Sequence, residues 1–544
     1  MEIALEPAIP TYSGGLGVLA GDTLRSCANL ELPMVFVTLV SREGYLRQSI
    51  GPDGQQVDAP DPWDPAAHAE PLDAAVAVRI EGRPVWIRPW LYRHTCPHGG
   101  CTPVILLDTR LAVNDPADRA ITDRLYGGDA AMRLKQEIVL GIGGEGILRA
   151  LGFAIETWHL NEGHAALLPL TLLQRGAAEA AAVPPCDALA TVRDCCVFTT
   201  HTPVEAGHDR FPYDLVQRIL GDFVDPAVLR QLAGDTELNM TRLALNLSGW
   251  VNGVAARHAE TARRMFPGYR IRAVTNGVHV PSWTHPAFAA LFQEVAPEWA
   301  HDPDTLRRAD RLPAEAVWSA HEQAKAQLLA EVRQRCGIVL RPDLPVLAFA
   351  RRMTGYKRAD LLFSDLNRLR SIARAWPFQL LMAGKAHPED AGGKALIATL
   401  HAHAGALADV LPVVFLPNYD MALARHMVAG ADIWLNTPMP PLEASGTSGM
   451  KAALNGVPHL SVLDGWWAEA CEEGLNGWAI GADGDDPAGH AALLYAKLEE
   501  AVLPLWHTDR PGWVALMKQV ITRTGARFHS QRMMRRYAAE AYLR

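Results

Sequence analysis

The sequence predicts an α/β fold with largely parallel sheets, arranged as two Rossmann-like domains. Short apolar, β-branched runs such as 35–40, 197–200 and 346–350 alternate with longer helical patterns, which is typical of parallel sheets. Two segments, the start of the chain and the stretch after Pro345, each combine a strand, a loop suited to phosphate and a helix. The 544 residues are enough for two or three packed domains.

The domain boundary is expected among the prolines between about residues 252 and 345. The predicted ranges are 1–275 for the first domain, 276–514 for the second and 515–544 for a C-terminal helix that packs back on them. The Ala-rich stretch 176–183 predicts the end of a helix.

Composition narrows the classes of partner. A formal charge of −9 and a pI near 6.1 argue against nucleic acid or an anionic membrane surface. The first residues lack the pattern of a signal peptide, and the apolar runs are too short to cross a bilayer. Eight cysteines in a chain of this length fit reduced thiols. We therefore expect a cytoplasmic protein.

One cluster could hold a metal, because His94, Cys96, His98 and Cys101 lie within eight residues. The cluster stands between two strand-like runs, 85–92 and 103–107, and Pro-His-Gly-Gly is ordinary hairpin chemistry. A hairpin is the favoured interpretation, and a zinc site stays open as the alternative.

The first motif is a glycine-rich stretch, YSGGLGVLAGD (12–22). Its glycines let the backbone approach an anion, and the helix expected after it points free N–H groups at the same place. Short patterns of this kind are weak evidence, so a phosphate site and a plain tight turn both remain open.

The second motif, RRMTGYKR (351–358), places four cations in one short loop before a helical run expected at 359–362. A cation at the positive end of a helix is unfavourable by up to about 1 kcal/mol. A bound phosphate would resolve that conflict, and a solvated basic loop is the alternative.

The third motif, EASGTSGMKAALNG (443–456), is the most specific and follows the strand pattern 433–435. It predicts a loop, a cap, a short helix and a glycine stop. If Ser448 caps the helix, Lys451 lies in the first turn, where the helix dipole favours a neutral, nucleophilic amine. The small residues 445–449 can surround a phosphate, so this segment could hold both ends of pyridoxal phosphate. A plain cationic helix start is the alternative.

Together the three motifs resemble those of the α-glucan phosphorylase family, of the glycogen and maltodextrin type. Further segments match in family order between about residues 12 and 480. These are RLKQE (133–137), NEGH (161–164), THTP (200–203), VNGVA (251–255) and TNG (275–277).

The resemblance implies a set of site residues. Lys451 would form the Schiff base with pyridoxal 5′-phosphate, and the cofactor phosphate would contact Arg351, Tyr419, Thr447 and Ser448. The substrate phosphate would contact Arg352, Lys357 and the backbone of Gly15. The transferred glucose would contact His201, Asn252, Tyr356, Glu443, Ser445 and Gly446. The residues expected to act in catalysis are Lys451, Arg352, Lys357 and His201, and no metal is implied.

The resemblance also implies a reaction and a fold. Terminal α-1,4-linked glucose of glycogen or maltodextrin would pass to inorganic phosphate as α-D-glucose 1-phosphate, with retention. In the family the cofactor phosphate exchanges a proton with the substrate phosphate, which requires concentrated positive charge. The site would lie in the cleft of a GT-B type fold, with glucan and phosphate contacts from 1–275 and the cofactor on 276–514. A homodimer is implied as well.

The chain departs from the long animal and plant enzymes at two places. Ser448-Gly449 stands where they carry Gly-Asn, and Thr354-Gly355 stands where they carry His-Glu, so contacts of those side chains are not carried over. Both features suit the shorter bacterial form. Because the chain begins almost at its glycine loop, we expect no N-terminal arm for phosphorylation or nucleotide control.

Two alternatives compete with phosphorolysis. A nucleotide-sugar glycosyltransferase, such as a glycogen synthase, shares the expected fold but has no use for a Schiff-base lysine at 451. A degenerate glucan-binding scaffold would have lost its phosphate ligands, whereas Arg352 and Lys357 are present.

Overall fold

The computed structural model of the protein describes residues 1–179 and 185–543. Over these residues the chain is a mixed α/β protein with several sheets, as the alternating apolar runs predict. The strands are β1 (Phe36–Leu39), β2 (Arg47–Ile50), β3 (Gln56–Ala59), β4 (Glu70–Pro71), β5 (Val76–Ile80), β6 (Arg83–Thr95), β7 (Cys101–Asp108), β8 (Trp158–Asn161), β9 (Cys196–Thr199), β10 (Arg210–Pro212), β11 (Glu237–Asn239), β12 (Trp250–Gly253), β13 (Arg272–Ala273), β14 (Val346–Ala350), β15 (Gln379–Ala383), β16 (Val413–Leu416), β17 (Ile433–Asn436), β18 (His459–Val462) and β19 (Gly477–Ile480). The α-helices are α1 (Gly15–Asn29), α2 (Pro116–Arg119), α3 (Ala130–Ile138), α4 (Gly144–Ala150), α5 (Leu168–Glu179), α6 (Pro185–Cys195), α7 (Tyr213–Leu220), α8 (Pro226–Ala233), α9 (Met240–Asn246), α10 (Ala256–Met265), α11 (Val280–Trp283), α12 (Pro286–Val295), α13 (Ala314–Cys336), α14 (Leu366–Ala375), α15 (Ala391–Leu407), α16 (Met421–Gly430), α17 (Ser448–Ala453), α18 (Trp467–Ala470), α19 (His490–Lys497), α20 (Leu503–Thr508), α21 (Arg510–Gln519) and α22 (Ser530–Tyr537).

The chain divides into two compact units. Unit 1 comprises Met1–Leu46, Pro60–Thr275 and Met534–Arg544, of which Arg544 lies outside the described residues. Unit 2 comprises Arg47–Ala59 and Asn276–Met533.

Unit 1 contains two sheets with different pairing. In the first, β1 is parallel to β7, while β4, β5 and β6 join through antiparallel pairs. In the second, all neighbours are parallel in the order β13-β12-β9-β8. Apolar side chains from both, such as Leu107 and Phe198, lie in one buried cluster.

Unit 2 is built on a parallel sheet with the order β16-β15-β14-β17-β18-β19. Counted along the chain, these six strands have the order 3-2-1-4-5-6. Every residue of β14, β15, β17 and β18 is buried. Continuous burial is typical of a parallel sheet that is covered on both faces.

Two local expectations about the phosphate-friendly loops need correction. The helix expected at 359–362 is instead a pair of short 3-10 turns, Gly355–Lys357 and Leu361–Phe363, because Arg358 adopts a left-handed conformation between them. The next α-helix, α14, begins only after Asp365, whose carboxylate caps it. The strand expected ahead of the glycine loop does not occur among the described residues, where Ile3 N–H donates to Thr11 O at 3.0 Å across an irregular loop.

The C-terminal segment, expected as one helix over 515–544, is divided in two. The chain leaves the helical path near His529, which forms a bridge with Val278, and α22 then begins at Ser530. A Cβ on Gly277 would lie 2.2 Å from the His529 carbonyl carbon, so this close approach requires glycine. Of the Ala-rich stretch 176–183, α5 ends at Glu179 and the remainder lies outside the described residues.

Candidate active site

The loops after β14 and β17 bring the second and third motifs together in unit 2. The two strands are neighbours, and the strand order continues from β14 to β15 on one side and from β17 to β18 on the other. In open parallel sheets, ligands bind at this reversal, outside the carboxyl ends of the strands. Segments 351–358 and 437–447 therefore form the candidate site.

A buried ion cluster joins these two loops. Glu443 Oε2 accepts hydrogen bonds from Arg351 Nη2 and Lys357 Nζ, each at 2.6 Å. None of the three side chains is more than 10% exposed. Burial raises the pKa of Glu443, but attraction to Arg351 and Lys357 outweighs it and lowers the pKa to about 2. One carboxylate thus faces two cations, which leaves an excess of positive charge.

The same loops carry buried polar atoms that have no hydrogen-bond partner within the described part of the chain. These atoms are Nη1 of Arg351 and Oγ of Ser445. An unsatisfied buried polar group costs about 1–3 kcal/mol. An anion beside Arg351 would remove that cost and balance the excess charge of the cluster.

Gly446 lets the backbone pass close to the cluster. Its φ of +75° is a left-handed conformation, and a Cβ there would lie 3.1 Å from Glu443 Oε1 and 3.4 Å from Arg351 Nη2. The loop therefore needs glycine for both its conformation and its space.

Asp464 supports the Glu443 loop and is a residue that the motifs did not reveal. Its carboxylate accepts the N–H of Glu443 and the N–H of Gly465, both at 2.9 Å. Trp466 N–H in turn donates to Ser445 O at 3.0 Å. The Asp-Gly pair after β18 was the available sequence signal, since polar residues after parallel strands share one edge of the sheet.

Lys451 is the fourth of the six residues of α17 and not at its start as expected, and Ser448 does not cap this helix. Thr447 is the N-cap and makes no side-chain cap bond, while Ser448 Oγ accepts a hydrogen bond from Trp434 Nε1 at 3.0 Å. Lys451 is 7% exposed, and its Nζ lies 4.0 Å from the ring centroid of Trp283. The amine is therefore largely buried and lies over an aromatic ring.

His459 lies beneath the start of α17 and was also missed. A Cβ on Gly449 would lie 2.8 Å from the imidazole, so glycine admits the ring there. Burial and the charge of Arg351 lower the pKa of His459 to about 3, so the ring is neutral. No motif pointed to His459, because its contact with Gly449 depends on how β18 packs against α17.

Three other predicted site residues, Arg352, Tyr356 and Tyr419, also belong to unit 2. Arg352 is exposed, and Tyr356 is partly buried with Lys357 Nζ 4.4 Å from its ring centroid. Tyr419 is partly buried and follows Asn418, whose φ of +54° turns the chain after β16.

Gly15, His201 and Asn252 belong to unit 1. Gly15 is the first residue of α1, it is exposed, and a Cβ there would meet nothing within 4 Å. The N–H groups of Ser13 and Gly14 just before it donate to Glu2 Oε2, at 2.5 and 3.3 Å. A carboxylate of the chain itself thus occupies part of the glycine loop.

His201 is held by the NEGH motif. Its Nε2 lies 2.5 Å from Asn161 Oδ1, and its backbone N–H donates to Glu162 Oε2 at 2.7 Å. Burial and the neighbouring His258 lower the pKa of His201 to about 3, so it is neutral. Glu162 has a φ of +69°, which is strained for a non-glycine residue and is common at functional sites.

Asn252 is completely buried, and its side-chain amide is engaged within unit 1. Oδ1 accepts from Thr199 Oγ1 at 2.7 Å, and Nδ2 donates to the Tyr537 hydroxyl at 2.9 Å. A sugar would have to displace one of these partners, so the predicted contact stays a prediction. Asn276, in the TNG motif, is 4% exposed and its Oδ1 has no partner within the described residues, which makes it a candidate that the prediction omitted.

Two further features of the described residues concern metal binding and membrane spans. Within 1–179 and 185–543, His, Cys, Asp and Glu side chains form no group of three or more that could hold a metal ion. The cluster of Cys96 and Cys101 is the hairpin that the sequence favours, with Thr95 paired opposite Cys101. Across the same two ranges, no helix is long and apolar enough to cross a membrane.

Comparison with known proteins identifies relatives. A family model described as "Carbohydrate phosphorylase" matches residues 227–476. The maltodextrin phosphorylase of Thermococcus litoralis and the glycogen phosphorylase of Mycobacterium tuberculosis are each 36% identical over 100% of this chain and 70% of their own length. The glycogen phosphorylase of Aquifex aeolicus is 34% identical over 99% of this chain and 85% of its own length.

Proposed function

Because the chain belongs to the carbohydrate phosphorylase family, we propose that it transfers terminal α-1,4-linked glucose from glycogen or maltodextrin to inorganic phosphate. The product is α-D-glucose 1-phosphate with retained configuration. The observation that carries the proposal is the buried Glu443 cluster, whose two cations exceed its one carboxylate and leave an arginine N–H without an acceptor in the described chain.

We propose pyridoxal 5′-phosphate as the cofactor, because the residues present fit it. Lys451 offers a buried amine next to an indole ring, which suits the aldehyde and the pyridine ring. Thr447, Ser448, Tyr419 and Arg351 are the proposed phosphate contacts. The unsatisfied Nη1 of Arg351 supports such an anion.

When bound, the cofactor supplies a phosphate group that exchanges a proton with the substrate phosphate. The chain's own residues bind and orient the reactants. Arg352 and Lys357 would hold the substrate phosphate, and Lys357 would divide its ammonium protons between that phosphate and Glu443. The positive charge of Arg351 would offset the repulsion between two neighbouring phosphates.

Glu443 would act on the sugar and not as a hydrolytic acid. Its lowered pKa keeps it ionised at neutral pH, so it accepts hydrogen bonds and has no proton to give. Both cations bond Oε2, which leaves Oε1 as the acceptor for sugar hydroxyls, with Ser445 and Gly446 beside it. His201, Asn252 and Tyr356 are the other proposed sugar contacts, and Gly15 is proposed to contact the phosphate through its backbone.

We further propose the GT-B architecture of two Rossmann-like domains that face a central cleft. The strand order 3-2-1-4-5-6 in unit 2 and the parallel second sheet of unit 1 support it. Residues 1–275 would bind glucan and phosphate, 276–514 the cofactor, and 515–544 would pack back on them. A cytoplasmic location and a homodimer are proposed with the family.

The nucleotide-sugar glycosyltransferase is not favoured, because the family match and the named relatives are phosphorylases. The decisive assay incubates the purified protein with maltoheptaose at increasing phosphate and measures glucose 1-phosphate. We expect release that depends on phosphate and on added cofactor. Glucose release without phosphate, or transfer from a nucleotide sugar, would contradict the proposal.

A further inference from the structure

The hairpin of β2 and β3 belongs to unit 2, although the chain before it, up to Leu46, and after it, from Pro60, belongs to unit 1. Its exposed face includes Val57, which is 53% exposed, while Gln48 and Gln56 are 3% and 6% exposed. Burying an amide without partners costs about 1–3 kcal/mol. Two buried glutamines therefore call for specific partners.

Gln48 binds the turn that follows β16. Its backbone N–H donates to Asn418 Oδ1 at 3.1 Å, and its Oε1 accepts the N–H of Asn418 at 2.8 Å. Asn418 has a φ of +54° and directly precedes Tyr419, a proposed cofactor contact. The reciprocal pair thus fixes a strained residue at the proposed site.

Both glutamines also bind the segment that follows β15. Gln48 Nε2 donates to Gly384 O at 2.9 Å and to Gln56 Oε1 at 2.7 Å. Gln56 Oε1 accepts the N–H of Ala386 at 2.9 Å, and its Nε2 donates to Ala386 O at 3.0 Å. A fully satisfied amide network of this kind is rigid and specific.

A salt bridge completes the network. Gln56 Nε2 donates to Asp58 Oδ1, and Lys394 Nζ donates to Asp58 Oδ2, both at 2.6 Å. Asp58 and Lys394 are partly exposed, so this pair contributes little alone, and its main effect is to orient the amide of Gln56.

The segment held by the glutamines in turn holds the second motif. Arg351 N–H donates to Ala383 O at 3.1 Å, and Met353 N–H donates to Lys385 O at 3.0 Å. A Cβ on Gly384 would lie only 1.8 Å from Arg351 O, so the two backbones are in direct contact. A shift of Gly384 therefore moves Arg351 and the residues that follow it.

We propose that Gln48 and Gln56 are positioning residues for the second motif, 351–358, which is the proposed phosphate-binding loop. The inference rests on the proposed function, because it names which part of that site the hairpin supports. Gln56 holds the loop through Ala386 and also accepts a hydrogen bond from Gln48, and Gln48 in turn holds Asn418 next to Tyr419.

The test compares Gln48→Met and Gln56→Met with the control Val57→Thr on the exposed face of β3. The two Met variants keep the length of the side chain but remove every hydrogen bond of the side-chain amide. Misplacing a binding group by about 1 Å can cost up to roughly 100-fold in rate. We expect kcat/KM for phosphate to fall about 10- to 100-fold in both variants. Both variants should also release cofactor faster on dialysis, because Arg351 in this loop is a proposed cofactor contact, and Val57→Thr should match the wild type.

Hydrogen exchange at the Arg351 and Met353 amides provides a readout that needs no activity. We expect faster exchange there in Gln48→Met and Gln56→Met and unchanged exchange in unit 1. If either protein does not fold, Gln48→Glu serves instead, because it keeps the acceptor for Asn418 and loses the donor to Gly384. Unchanged exchange at both amides, or a lower Tm with unchanged kinetics for phosphate, would overturn the positioning role. A wild type without phosphorolysis would overturn the proposed function alone, since the exchange measurement still decides the role of the hairpin.

Discussion

Replacing Glu443 by Gln should destabilise the protein and impair catalysis, because it leaves Arg351 and Lys357 buried without a counter-charge. The variant keeps the shape of the side chain and an acceptor, so the loss reports on charge. The surface pair of Glu298 and Arg308, in which both side chains are more than 40% exposed, offers the matched control Glu298→Gln.

The magnitude follows from the lowered pKa of Glu443. Its ordinary value is 4.5 and its value in the cluster is about 2, and this difference corresponds to roughly 3 kcal/mol at 1.36 kcal/mol per pH unit. Breaking a buried ion pair costs about 3–5 kcal/mol, which agrees. We expect Glu443→Gln to lose about 3 kcal/mol of unfolding free energy, and Glu298→Gln less than about 1 kcal/mol.

The lowered pKa of Glu443 also determines how the stability of the protein changes with pH. Because the folded pKa of Glu443 lies below its unfolded value, the charged form stabilises the protein above pH 4.5, and this stabilisation is lost as the pH falls from 4.5 toward 2. Denaturant unfolding of the wild type and Glu443→Gln should therefore differ most near neutral pH and converge in acid. A constant difference across that range, or equal stability at pH 7, would refute the reasoning.

The same substitution, Glu443→Gln, is also expected to reduce catalytic activity. Losing one charged acceptor at the reacting sugar costs about 100- to 1,000-fold in kcat/KM. Glu443→Gln should keep its cofactor and the α-configuration of the residual product, measured with maltoheptaose by NMR. Rescue by azide or formate would instead indicate glycosidase chemistry, in which two carboxylates flank the bond.

Four further predictions concern single residues. Lys451→Ala should lose the cofactor absorbance and phosphorolysis, and borohydride reduction of the wild type should attach the cofactor to Lys451; an adduct on another lysine would contradict the assignment. Arg352→Ala should lower kcat/KM for phosphate by about 30- to 1,000-fold with normal cofactor content, and an unchanged phosphate dependence would remove its role. Gly446→Ala should cost about 1–3 kcal/mol of stability through its φ of +75°, as judged by denaturant unfolding, and wild-type stability would show that the loop tolerates a side chain. Asp432, whose carboxylate bonds Lys325 Nζ at 2.8 Å and Trp506 Nε1 at 2.9 Å, is fully buried, and attraction to Lys325 overcomes burial to hold its pKa well below 3.8. Asp432→Asn should lose about 3–5 kcal/mol at neutral pH, and the wild type should lose this contribution as the pH falls below 3.8; a thermal melt equal to that of the wild type would refute it.

The local features of the site could be predicted from the sequence. Strands β14 and β17, the short helix that contains Lys451 and the glycine stop after it follow from short patterns. The cation-rich motif 351–358 and the third motif were each recognisable as candidate anion sites from their composition, and these roles stay predictions.

The long-range features of the site could not be predicted from the sequence. The pair of Lys357 and Glu443 joins residues 86 positions apart, and Gln56 binds Ala386 across 330 positions. The periodicity of apolar residues in the sequence carries no information about such long-range contacts. The engagement of Asn252 by Tyr537 was hidden for the same reason, since it depends on where the last helix returns.

The most direct test of the central claim uses phosphate labelled with oxygen-18. Purified protein and maltoheptaose are incubated with labelled phosphate, and the products are analysed by mass spectrometry. If phosphate attacks the sugar itself, glucose 1-phosphate carries all of the labelled oxygens, including the one that bridges to carbon 1. Free glucose with its carbon 1 oxygen from solvent, and no labelled glucose 1-phosphate, would contradict phosphorolysis.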